Sequence, residues 1–430
     1  MTSKRVVILG GGFGGAYCAR ALEKHLRRFD ADIYLIDRNN YFVFYPLLIE
    51  AGTGSVEPRH AVIPMRSFLR KTNFVRAEAT GVDIDRQEVS YRPSGSDQDL
   101  RIGYDHLVIA LGSITKMPPV PGLAEWGFEL KTLADAIVLR DRAIQLLELA
   151  DANSSLEERR ALLHVVIVGG NFTGVELAGE LQSFMREASR GYKNVGPDDC
   201  RVTLIEITDR ILPALDADLA SYARQRLEGA GVEILLQRSV KTVFREGIET
   251  DDGRRIASQT VIWAAGVAPN PLVRKLPLPL DKLGYIVCER DLRVRGFQNI
   301  WAIGDCAVNP GPDGKPYPAT AQHALRQGDD LGRNIAAVFQ GRPTRPSDIA
   351  TRGWMAALGG HKAVAKVFNY KVKGFPAWFI RQTYYLMRIP GWSRKLRIAL
   401  DWTLNLFFAR DIVQLGARPA PRDTPGRRVA

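Results

Sequence analysis

Five times along the chain a short aliphatic run stops at a glycine. Arg5-Val6-Val7-Ile8-Leu9 ends at Gly10, Leu107-Val108-Ile109-Ala110-Leu111 at Gly112, and His164-Val165-Val166-Ile167-Val168 at Gly169. Val261-Ile262-Trp263-Ala264-Ala265 ends at Gly266, and Asn299-Ile300-Trp301-Ala302-Ile303 at Gly304-Asp305. Runs without polar alternation predict strands buried on both faces, as in a parallel sheet. Helices are predicted after Gly15 and Gly174, over Thr132–Leu149, and from Ala321 to about Phe339. Two further strands end in an acid: Asp32–Ile36 before Asp37, and Val202–Ile205 before Glu206. Ala79–Asp85 and Glu88–Tyr91 alternate as a hairpin does. Tyr41–Leu48, aromatic and interrupted by Pro46, reads as a structured loop, and Asp151–Arg160 as a polar one. Pro118, Pro119 and Pro121-Gly122 mark a first domain boundary.

The glycines have a spacing with chemical meaning. Gly10, Gly12 and Gly15 form G-x-G-x-x-G between strand and helix. The first permits a tight turn, the second lets backbone approach a pyrophosphate, and the third lets helix meet sheet. Asp37, 22 residues past Gly15, can accept from ribose hydroxyls. The same unit recurs at Gly169, Asn171 and Gly174, with asparagine at the middle position. Asparagine tolerates left-handed backbone, so the turn is expected to survive with a more hindered approach. Glu206 favours a free 2′-hydroxyl over a 2′-phosphate, hence NADH over NADPH. Two such units imply two dinucleotides.

Composition narrows the class further. The chain has 430 residues, 46% of them hydrophobic and 25% charged, enough for two or three α/β domains. The opening Met1–Arg5 leads directly into a strand, so no cleavable signal is expected. Cys18, Cys200, Cys288 and Cys306 lie far apart and form no C-x-x-C, against a disulfide framework, a zinc site or a thiol redox pair. The charge of +12 is carried entirely by the last fifth: residues 345–430 hold sixteen Lys/Arg and four Asp/Glu. That segment also holds four of the seven tryptophans, Trp354, Trp378, Trp392 and Trp402. From Trp392 onward, Leu396, Ala399, Leu400, Thr403, Leu406 and Phe407 share one helical face, and Arg394, Arg397, Asp401 and Asn405 the other. No run is long enough to span a bilayer. The pattern suits an anionic lipid surface, or an apolar face packed on the protein body or a second subunit. No nucleic-acid motif accompanies the charge.

Taken together, Gly-Gly-Asn-Phe-Thr-Gly-Val-Glu (169–176), Trp-Ala-Ala-Gly-Val (263–267), Trp-Ala-Ile-Gly-Asp-Cys-Ala (301–307) and Ala-Gln-His-Ala-Leu-Arg (321–326) resemble the type II, non-proton-pumping NADH:quinone oxidoreductases. Those enzymes lie within the two-dinucleotide flavoprotein disulfide reductase superfold. The resemblance implies an FAD-binding domain from residues 1–120 and 290–345, an NADH-binding domain over 121–289, and an amphipathic helical membrane-association region over 346–430. It places FAD against Gly10, Gly12, Phe13, Gly14, Gly15, Asp37, Arg38, Thr53, Val82, Ala110, Gly112, Asp305, Ala321 and Gln322. NADH is placed against Gly169, Gly170, Asn171, Phe172, Thr173, Gly174, Glu176, Glu206, Ala265 and Gly266. Asp305 holds the ribityl chain, and Glu176 and Gln322 serve the reaction. Arg326 stands where many members have a second glutamine. The implied enzyme is a homodimer on the cytoplasmic face of the inner membrane, using no metal and passing two electrons from NADH through FAD to quinone. A soluble flavoprotein reductase serving a small redox protein, and a flavin-bearing interaction protein, are the alternatives. A sulfide-oxidising relative would need paired redox cysteines. His323 reads as a packed or surface residue and Cys306 as a small core residue.

Overall fold

The computed structural model describes residues 4–27, 31–351 and 353–416. The chain divides into two compact units: 1–43 with 62–114 and 267–351, and 44–61 with 115–266 and 352–430.

The first unit is built on a seven-stranded sheet. Its order is Ile300–Ala302, His106–Ile109, Lys4–Leu9, Ala31–Asp37, Asn73–Asp83, Glu88–Pro93, Leu100–Gly103. The first five strands are parallel and the last two antiparallel. Val7, Leu9, Ile36, Leu107, Ile109 and Ile300 form one face of its core. The Phe13–His25 helix packs on the Ala321–Phe339 helix through glycines: a Cβ on Gly328 would come 2.4 Å from the Gly14 carbonyl oxygen.

The second unit repeats the plan with five parallel strands, Gly127–Glu129, Thr260–Trp263, His164–Val168, Arg201–Glu206 and Val232–Leu236. Strands from corresponding motifs occupy corresponding places in both sheets. Behind this sheet lie the Leu133–Ala152 helix, capped by Thr132 with Asp135 in a capping box, and the Phe172–Ala188 helix.

Several local expectations change. Residues 41–52 hold a three-residue strand, Tyr41–Val43, a 3₁₀ turn, Tyr45–Leu47, and a short helix, Leu48–Gly52. The polar stretch before His164 contains a helix, Leu156–Leu162, because Ser155 accepts from the Glu158 amide as its cap. Residues 267–289 join the first unit, since Val273, Leu276, Ile286 and Cys288 belong to its core. Residues 44–61 join the second, where Glu50, Ser55 and His60 are bonded to the C-terminal segment.

The C-terminal segment is not all helix. It opens as a three-stranded antiparallel sheet, Gly353–Ala357, Ala363–Val367 and Tyr370–Gly374. The helices Phe375–Arg388 and Trp392–Leu404 follow, broken at Pro390-Gly391. In the second of these the polar face docks. Asp401 bonds His60 Nδ1 at 2.6 Å, Asn405 donates to the Ser55 carbonyl and Trp402 donates to Glu50. Leu396, Leu400 and Leu404 point outward with Trp392 and Phe407, which are 86% and 78% exposed. No helix among the described residues is long and apolar enough to cross a membrane.

Candidate active site

Each unit turns its chain between first strand and helix in the same way. Gly10 and Gly169 take φ of +96° and +116°, a region that favours glycine. A Cβ on Gly15 would lie 1.8 Å from the Gly10 carbonyl oxygen, and one on Gly174 would lie 1.8 Å from that of Gly169. Asp37 accepts from the Gly11 amide at 2.7 Å and from Asn39 N–H at 2.7 Å. Glu206 accepts from the Gly170 amide at 2.5 Å and from Thr208. Burial raises the Asp37 pKa, and the two amide donors oppose that. The strand-end acid therefore lies against the glycine turn in both units.

The middle position separates the two turns. A Cβ on Gly12 would meet no atom within 4 Å, so the turn faces open space where a pyrophosphate can approach. Asn171 is in extended backbone, φ −76° and ψ −175°, not the left-handed region expected for it. The left-handed residue is Gly169. Asn171 instead caps its helix: its Oδ1 accepts from the Gly174 amide at 3.1 Å and its Nδ2 donates to the Ala264 carbonyl at 2.7 Å. Phe172, the next residue, stacks on Trp354 at 5.3 Å.

The remaining first-unit residues gather at the carboxyl ends of its parallel strands. Ala110 is buried, and Gly112, at φ +67°, again faces open space. Ser113 donates to Asp305 Oδ2 at 3.0 Å, and Gln327 accepts from the Gly304 amide at 2.8 Å, fixing the Gly-Asp turn. Ala321 and Gln322 are half-buried at the start of their helix. Arg38 is exposed, and Val82 packs beside the core cluster. Thr53 falls in the second unit, buried, with its hydroxyl donating to Ile49. Gly266, at φ +82°, follows Ala265 in the second unit. His323 is buried between Thr320 and Thr351 and stacks on Tyr317 at 5.3 Å; burial lowers its pKa to about 4, so it is a neutral packed side chain. Arg326 donates to the Ala350 carbonyl.

Glu176 lies in a charged cluster that the motifs did not reveal. It is one turn into its helix, and its carboxylate is 14% exposed. Arg381 reaches it at 3.0 Å and Glu50 at 2.6 Å, and also donates to the Pro46 carbonyl. The Ala357 amide donates to Glu176. Burial raises the Glu176 pKa; Arg381 and the amide oppose it. Burial lowers the pKa of Arg381, but Glu176 and Glu50 outweigh it and hold the guanidinium charged. The available signal was a lone arginine within the apolar Ala377–Tyr385 run. Arginines in such runs survive only when paired.

The four cysteines are buried and free, and burial pushes the Cys306 thiol up to about 11, suppressing the reactive thiolate. No His, Cys, Asp and Glu group among the described residues is arranged to hold a metal. The first turn, open at Gly12, and the second, capped by Asn171, are each closed by an acid and fit the plan of an adenine dinucleotide site. These features define a protein with one dinucleotide-binding plan used twice.

The family model described as Pyridine nucleotide-disulphide oxidoreductase matches residues 4–328. The type II NADH:quinone oxidoreductase Ndh of Mycobacterium tuberculosis is 32% identical over 421 residues, covering 94% of this chain and 89% of that protein. Demethylphylloquinone reductase NdbB of Synechocystis sp. is 33% identical over 413 residues, covering 93% and 95%. NDH2 from Plasmodium falciparum, solved in complex with NADH, shares the fold at a TM-score of 0.87 and 21% identity, covering 96% of this chain and 100% of that one. The chain belongs to the type II NADH:quinone oxidoreductases of the pyridine nucleotide-disulphide oxidoreductase family.

Proposed function

We propose that this chain oxidises NADH and reduces a membrane quinone through FAD, without pumping protons. The observation that carries the reading is the duplicated glycine turn, closed by Asp37 in one unit and Glu206 in the other. FAD, when bound, supplies a two-electron acceptor for NADH and a donor for quinone. In this reading the first unit holds FAD. Gly10, Gly12 and Gly15 admit its pyrophosphate to the helix N-terminus, Asp37 takes the ribose and Asp305 the ribityl chain. The second unit holds NADH, with Glu206 on the adenosine ribose and Asn171 keeping the helix N-terminus open to phosphate. Gln322 of the first unit is assigned to the quinone head, and Glu176 of the second, paired with Arg381, is assigned a part in the reaction.

The chemistry needs no nucleophile. NADH brings two electrons and one proton, and a quinol contains two electrons and two protons, so one proton per turnover comes from water. Handling it is the task of the side chains.

We place the enzyme peripherally on the cytoplasmic face of the inner membrane. The outward stripe of Leu396, Leu400, Leu404 and Phe407, flanked by Trp392, Arg388 and Arg397, supports an anionic lipid surface as the partner. A homodimer is proposed as its assembly. Anaerobic NADH should bleach the flavin, and a short-chain quinone should restore its absorbance. Bound flavin that NADH leaves yellow would remove the reading. Full turnover without any affinity for vesicles would leave a soluble reductase.

A further inference from the structure

The Phe172–Ala188 helix carries a second row of chemistry beyond Glu176. Glu176, Glu180, Ser183 and Glu187 fall at i, i+4, i+7 and i+11, one face of a helix. At 1.5 Å per residue the row is about 16 Å long. Exposure is lowest in the middle and highest at the far end: the side chains of Glu176, Glu180 and Glu187 are 14%, 11% and 30% exposed. Beside the row lies a cavity of about 70 Å³, lined by Glu50, Glu180, Ser183, Glu187, His361 and Arg410 among others. That is well above the roughly 10–15 Å³ that one water needs, and the partners are polar.

The charges in this region do not balance. Four carboxylates, Glu50, Glu176, Glu180 and Glu187, face two guanidiniums. Arg381 is committed to Glu50 and Glu176 at 2.6 and 3.0 Å. Arg410 is committed to Glu187 at 2.7 Å and reaches Glu180 only at 3.7 Å. Glu180 is thus the member with the weakest counter-charge. Burial, with Glu50 and Glu176 adding to it against Arg410 and Arg381, raises its pKa to about 7.

We propose that this row is the proton inlet for quinone reduction. Water at Glu187 reloads Glu180 through the cavity, and Glu180 hands its proton to Glu176. The proposal rests on the quinone-reducing function above and supplies the one proton that NADH does not. Each transfer moves a proton between oxygens, and Glu180 ends the cycle protonated as it began.

The test is Glu180→Gln in the full-length holoenzyme, with the two half-reactions followed separately by flavin absorbance. Bleaching by NADH should keep its wild-type rate. Reoxidation by a short-chain quinone should slow roughly tenfold or more at pH 7. Wild-type reoxidation should decline above pH 7; the variant should lack that decline and recover with added formate as a small proton carrier. Infrared spectra should show a carboxylic C=O band, titrating near pH 7, that is absent from the variant. If Glu180→Gln fails to retain flavin, Glu187→Gln is read by the same half-reactions. Reoxidation with an unchanged rate and pH profile in the variant overturns the inlet, as does equal slowing of both half-reactions. Wild-type flavin that quinone never reoxidises overturns the proposed function instead.

Discussion

Arg381 and Glu176, 205 positions apart, meet at 3.0 Å with the arginine side chain 1% exposed. Arg381 also binds Glu50, so one guanidinium is shared between two carboxylates brought together only by folding. Removing one partner of a buried pair leaves an uncompensated charge, and here two would be left. Arg381→Ala should cost about 3–5 kcal/mol in denaturant unfolding. Combined with Glu176→Gln, the loss should fall short of the sum of the single losses by about 1 kcal/mol or more. Simple additivity would mean that the contact carries no coupling.

The two glycine turns allow the cofactor assignments to be separated. Gly15→Ala and Gly174→Ala each force a methyl against a carbonyl oxygen at 1.8 Å. The expected outcomes differ. Gly15→Ala should purify with little flavin. Gly174→Ala should retain flavin that NADH bleaches only slowly. The reverse pattern would exchange the roles of the units.

Glu206 presents its carboxylate at the end of its strand, where a 2′-phosphate would be repelled. Glu206→Gln should raise kcat/KM for NADPH relative to NADH by about tenfold. An unchanged ratio would take this residue out of the nucleotide pocket.

His323 gives a stability prediction with a definite sign. Its pKa falls from 6.5 unfolded to about 4 folded, through burial and then Arg326. The unfolded chain therefore binds a proton below pH 6.5 that the native protein refuses until about pH 4. Stability is lost as pH falls through that window, by up to about 3 kcal/mol from this residue. His323→Gln should flatten that part of the profile relative to wild type, in denaturant midpoints measured from pH 7 to 4.

What was legible in the chain was whatever repeats locally. Strand, glycine turn, helix and terminal acid lie within 34 residues in one unit and 43 in the other, so Gly10 to Asp37 and Gly169 to Glu206 could be read directly. The Gly353–Gly374 sheet was not legible, because Gly353–Ala357 and Ala363–Val367 are rich in alanine with little alternation and only the short Tyr370–Gly374 strand alternates. Glu50, Glu180, Arg381 and Arg410 stayed hidden because their meaning lies in pairs 205 to 331 residues apart. Amphipathicity after Trp392 was plain, but not which face would dock. Asp401 and Asn405 looked like solvent residues and are the bonded ones.

The outward apolar stripe gives its own test. Leu400→Glu with Phe407→Glu should abolish sedimentation with vesicles containing anionic lipid, while leaving bleaching by NADH unchanged. Retained sedimentation would assign the face to a second copy, which sizing of the two proteins would then distinguish.

The central claim is hydride oxidation coupled to quinone reduction with no charge moved across the bilayer. It is tested most directly on sealed quinone-loaded liposomes, with NADH and a pH indicator outside and a second indicator inside. One quinol should form and one external proton should be consumed per NADH, with no change of internal pH. NADH consumed without quinol, or protons appearing inside, would contradict it.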